Sequence, residues 1–101
     1  MKLRIQPDSL TLRLSPEELQ TFSENGLLSQ TTRLSIGEVR VRLQAESCEQ
    51  IEASFEEGAF TFSLPERHLT KWLNSSKIGY SSELDETTIT IEKDLPRKKK
   101  H

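Results

Sequence analysis

At 101 residues the chain is long enough for one domain with a modest core, and its 33% apolar, 30% charged composition is patterned regularly enough to read as folded. The single cysteine, Cys48, excludes an internal disulfide and any cysteine-based zinc site. The net charge of −2 hides an asymmetry: residues 1–48 carry six basic and six acidic side chains, residues 49–95 carry four and ten, and Arg97 to Lys100 add four positive charges.

In chain order, Met1 to Ile5 and Ser9 to Leu14 alternate apolar and polar residues, the period of half-buried strands, and Pro7-Asp8 supplies a turn between them. A helix follows. Ser15 is its N-cap, Pro16 its first residue and Glu18 the partner of a capping box. Leu14 and Leu19 flank this start as a hydrophobic staple, and Gly26 ends the helix. Strands are expected over 31–36 and 38–45, with a turn at Gly37.

The pattern then returns at an offset of 50. Leu10, Leu12 and Leu14 recur as Phe60, Phe62 and Leu64. Leu19 and Phe22 recur as Leu69 and Trp72, and Val39 and Val41 as Ile89 and Ile91. The second half therefore predicts strands over 51–56 and 59–64, a helix over 65–74, and strands over 78–82 and 88–93. The expected fold is α+β: two ββαββ units (1–48 and 51–95) with pseudo-twofold symmetry, a mostly antiparallel curved sheet or barrel, and two short helices. These form a single domain over 1–95, and 96–101 is a basic disordered tail. No apolar run approaches the length of a membrane span and the start MKLRIQPDS has no apolar signal core, so a cytoplasmic protein is expected.

The polar strand positions carry the functional signal. In the first half they read Lys2, Arg4, Arg13, Arg40 and Arg42; the matching positions of the second half read Glu52, Ser54, Ser63, Thr90 and Glu92. Two readings follow. In one, the sign reversals let the halves complement each other about the pseudo-twofold axis. In the other, the five basic side chains converge on one sheet face and bind an anion, because guanidinium groups match phosphate and carboxylate oxygens in pairs. No glycine-rich phosphate loop accompanies them. His68 and His101 lack a nucleophile motif, and Asp85-Glu86 reads as turn chemistry. Cys48 lies between Glu46 and Glu49, whose charges oppose a thiolate. No catalytic residue, metal or cofactor is assigned.

The segments MKLRI, SLTLRLSPEEL and IEKD resemble a family of small uncharacterised bacterial proteins, over nearly the whole chain. Members usually have arginine where this chain has Thr11. The resemblance implies no activity. At the level of fold alone, the duplicated unit is similar to triphosphate-tunnel proteins, but Lys2 and Arg4 stand where their signature needs acidic residues.

The leading functional expectation is a non-catalytic structural or protein-interaction module, with a protein partner or a second copy of itself. The alternatives are an anion-binding module taking a phosphorylated small molecule, and an enzyme on phosphorylated substrates that would need Glu52 and Glu92 beside the arginines. A membrane is not an expected partner, because the basic tail reads as a solvated terminus, and neither is a nucleic acid, because no aromatic residue interleaves with that tail.

Overall fold

The computed structural model describes residues 1–72 and 74–94. The 96–101 tail and Leu73, a position of the expected 65–74 helix, lie outside them. The chain runs β1 (Lys2–Gln6), β2 (Ser9–Leu14), α1 (Pro16–Asn25), β3 (Leu27–Leu34), β4 (Gly37–Glu46), β5 (Glu52–Glu56), β6 (Ala59–Pro65), a 3-10 turn (Glu66–His68), the four-residue α2 (Leu69–Trp72), β7 (Gly79–Leu84) and β8 (Thr87–Lys93).

These strands build two four-stranded sheets, ordered β1-β2-β8-β7 and β3-β4-β6-β5. Each sheet consists of two hairpins joined along a central parallel seam, β2 with β8 and β4 with β6. The inner faces share one core. Leu12, Leu14, Ile89 and Ile91 come from the first sheet, and Val41, Leu43, Phe62 and Leu64 from the second.

This corrects the expected α+β fold of two ββαββ units around a curved sheet or barrel. The molecule is mostly β, with one full helix among the described residues and two separate sheets. Neither half is a unit in space, because each contributes one hairpin to each sheet. The four hairpins keep the 50-residue offset in register: Lys2 faces Arg13 as Glu52 faces Ser63, and Leu34 faces Gly37 as Leu84 faces Thr87. The parallel seams do not keep it. Leu10 faces Ile89, whereas Phe60 faces Val41 instead of Val39.

The barrel stays open because the sheet edges meet through side chains, without a backbone ladder. At one edge the Met1 amino group donates to Gln30 Oε1 (2.8 Å) and Gln30 Nε2 donates to the Met1 carbonyl (3.0 Å). At the other, Ser82 Oγ donates to the Ile51 carbonyl (3.0 Å).

The two helical segments differ because their starts differ. At α1, Ser15 Oγ accepts the Glu18 N–H (3.2 Å) and Glu18 Oε1 accepts the Ser15 N–H (2.9 Å). Gly26 closes the helix in the left-handed conformation. The matching position before the second segment is Pro65, which offers no capping oxygen, and the chain forms a 3-10 turn before α2. Even so, Trp72 is fully buried, with its indole N–H on the Lys77 carbonyl (3.1 Å) and its ring edge-on to Tyr80. Leu19 and Phe22 of α1 join the same core.

All four hairpin turns lie at one end of the molecule. The Thr88 N–H bonds the Asp8 carbonyl, which brings the β1–β2 and β7–β8 turns together. The Arg40 N–H bonds the Gly58 carbonyl and does the same for the β3–β4 and β5–β6 turns. α1, the 3-10 turn and α2 therefore sit at the opposite end. No helix among the described residues is long and apolar enough to cross a membrane.

Candidate functional site

Strand alternation places all five basic candidates on outer faces, but on two different sheets. Lys2 and Arg4 on β1 and Arg13 on β2 share the outer face of the first sheet. Arg40 and Arg42 lie on β4 in the second. Lys2 pairs with Asp94 (3.0 Å), and Arg13 with Glu92 across the β2–β8 seam (2.8 Å). Among the described residues no carboxylate forms an ion pair with Arg4, Arg40 or Arg42.

Arg40 and Arg42 are the two that the structure brings together in a recess. Two residues apart on one strand, they project from the same side. Register puts Thr31 and Ser29 beside them on β3, and Ala59 and Thr61 beside them on β6. The small β6 side chains leave a depression of about 300 Å³, lined by both arginines and by the hydroxyl-bearing Ser29, Thr31 and Thr61.

The sign-reversed positions do not meet as partners. Lys2 and Glu52 lie on different sheets, as do Arg42 and Glu92. Glu52 and Glu92, the carboxylates an enzyme would need beside the arginines, are separated in the same way.

The turn end holds a second candidate, one that the sequence pattern hides. Leu10 and Ile89 from the first sheet face Phe55 and Phe60 from the second across an open cleft of about 270 Å³. Phe55 and Phe60 touch ring to ring, with centroids 4.4 Å apart. Phe55 is 58% exposed, and Ile5, which faces Leu10 across β1–β2, is 61% exposed. In the sequence both read as core residues, since they keep the strand alternation. Their one distinguishing signal is position: Ile5 comes just before Gln6-Pro7-Asp8, and Phe55 just before Glu56-Glu57-Gly58. Each is the last inward residue before a turn. The opposite end is filled by Phe22 and Trp72, but no side chain of the described residues fills this one.

Two titratable groups at the opposite, helical end are perturbed. His68 stacks on Tyr80, with ring centroids 4.1 Å apart. Burial, and then the charges of Arg67, Lys77 and Lys71, hold its imidazole below the ordinary 6.5. Burial, and then Glu52 and Glu46, push the Cys48 thiol up, so the thiolate is disfavoured as expected, although Glu49 is not among the causes.

These features define the class: a small two-sheet β domain with one full helix among the described residues, an open apolar end and a basic recess on one outer face. The chain belongs to a family of unknown function, DUF7009, whose model matches residues 1–98. That agrees with the resemblance to an uncharacterised family. No curated protein and no solved structure matches the chain.

Proposed function

We propose that this protein is a non-catalytic interaction module of the cytoplasm whose working surface is the open turn end of the two-sheet domain. The observation that carries this reading is the exposure of Phe55 in the lining of the inter-sheet cleft and of Ile5 on the strand beside Leu10, another lining residue. Leaving large apolar side chains in water forgoes about 1.5–3 kcal/mol each, and contiguous exposed apolar surface marks interaction sites. The test is peptide display on the folded protein with counter-selection on an Ile5→Ser, Phe55→Ser variant. The expected outcome is a set of peptides that the wild type retains and the variant does not. If no peptide distinguishes the two proteins, the reading fails.

Arg40 and Arg42 favour a second reading, an anion site on the outer face of the second sheet that takes a phosphorylated small molecule. Their guanidinium groups have no ion-pair partner among the described residues and stand beside three hydroxyls. Tripolyphosphate at 100 times its dissociation constant should then stabilise the fold by about 2.7 kcal/mol. Arg40→Glu should abolish that gain, whereas removing the Lys2 side chain should leave it intact. No gain in the wild-type protein would rule the site out.

A further inference from the structure

The open end has an electrostatic character of its own, and it narrows the choice of partner. This inference rests on reading the open end as the working surface. Three of the four turns there are acidic and carry no basic residue: Asp8 in β1–β2, Glu56 and Glu57 at β5–β6, and Asp85 and Glu86 at β7–β8. All five side chains are exposed, and Asp85 lines the cleft itself. At the fourth turn Arg33 and Glu38 neutralise each other in an ion pair (3.3 Å). The apolar floor of Leu10, Phe55, Phe60 and Ile89 therefore opens at an end whose turns carry five exposed carboxylates, with Asp85 in the cleft lining, and none of the five forms an ion pair among the described residues.

We infer that the open end binds a basic polypeptide segment, seating one or two of its apolar side chains in the cleft and its lysines or arginines on the acidic rim. Size favours a side chain over a whole small molecule, because about 270 Å³ falls below the roughly 300–1,000 Å³ of sites that engulf one. Sign disfavours the other occupants. A second copy docked end to end brings two acidic rims together, and an anionic lipid or acidic peptide meets the same repulsion. A cationic apolar segment gains from both the floor and the rim, and its attraction to exposed carboxylates weakens with salt.

The experiment is fluorescence anisotropy of the full chain with three short peptides, each carrying a neutral dye. One alternates leucine with lysine, one leucine with glutamate and one leucine with serine. Titrations are run at about 0.01 M and about 0.15 M salt, where the screening length falls from about 30 to about 8 Å. The lysine peptide should bind at least roughly tenfold tighter than the glutamate peptide at low salt, and the gap should narrow at high salt. Asp85→Asn with Glu57→Asn should reduce that preference, and both variants keep a residue that tolerates the positive φ found at these positions. Phe55→Ser should weaken the binding of every peptide.

Equal binding of all three peptides, lost in Phe55→Ser, would overturn the cationic partner and leave the open end as a binding surface. Binding of none would overturn both. A lysine preference untouched by the two neutralising substitutions would place it elsewhere and overturn the inference. A dimer that Phe55→Ser dissociates would give the end to a second copy and would overturn the inference as well.

Discussion

Glu18 ties the start of the chain to the first helix. Its carboxylate accepts the Ser15 N–H and also pairs with the Met1 amino group, which is part-buried and further held by Gln30. Burial alone would raise its pKa, but the hydrogen bonds from the amino group and Ser15, with the amino charge, outweigh that and hold the carboxyl below its ordinary 4.5. A carboxyl lowered by folding stabilises the native state fully above its unfolded value and loses that contribution as pH falls through its folded value. Glu18→Ala should therefore cost about 1–2 kcal/mol at pH 7, since it removes half a capping box and leaves the part-buried ammonium with Gln30 alone. Urea unfolding at pH 7 and pH 3 should show the penalty shrinking in acid.

His68 adds a second acid-sensitive contribution. Its folded pKa lies below 6.5, so the unfolded chain binds more protons between the two values, and stability falls as pH drops from 6.5 through that window. His68→Gln should flatten the stability–pH curve there, as followed by denaturation midpoints. Gly79 is constrained by space alone. A Cβ built there collides with the Ile91 carbonyl oxygen and meets the Glu92 Cα at 2.7 Å, both backbone atoms. Gly79→Ala should destabilise the protein by about 1–3 kcal/mol, measurable as a lowered urea midpoint.

Hairpins are the level at which the sequence is most legible. Each is specified locally, by two-residue alternation and by the residues at its turn. The β5–β6 turn places Glu57 and Gly58 at positive φ, and the β7–β8 turn does the same with Asp85 and Glu86. Both match the two-residue hairpin turn that needs positive φ at its central pair. Glu86 therefore occupies, at φ 67°, a conformation for which its counterpart is glycine. Glu86→Gly should relieve about 1–2 kcal/mol of strain against about 0.5–1 kcal/mol of added chain entropy, a small net gain in thermal midpoint. The β3–β4 turn falls one residue earlier than the conspicuous Gly37 suggests, because Leu34 pairs with Gly37 and leaves Ser35 and Ile36 at the tip. The second helix is shorter than the repeat predicts, because matching Leu69 and Trp72 to Leu19 and Phe22 captures the packing but ignores the cap. Proline at position 65 lacks the oxygen that serine supplies at position 15.

Across the whole molecule, pairing between distant segments is not legible. Nothing in Leu10-Thr11-Leu12 announces that its neighbour is Ile89-Thr90-Ile91, because alternation identifies a buried face without naming the sheet it belongs to. For that reason the pattern groups Lys2, Arg4 and Arg13 with Arg40 and Arg42, when only the last two share a recess. Ile5 and Phe55 read as core for a related reason. Burial at the end of a strand depends on what caps that end, and none of the described residues caps this one.

The two sheets also differ in when the chain can complete them. All four strands of the second sheet fall in the contiguous stretch from Leu27 to Pro65, whereas the first sheet waits for β8 to meet β2, far upstream. Closing that long loop carries an entropic penalty that local hairpins do not face, and non-local pairing slows folding. On a ribosome, the inner sheet can assemble while β2 still lacks its neighbour. The two outer hairpins then close as a clasp over a finished half. Conservative truncations in the inner sheet, such as Phe62→Leu, should mainly slow refolding. Those in the clasp, such as Ile91→Val, should mainly hasten unfolding, and stopped-flow measurements on the pair would reveal the order in which this protein comes together.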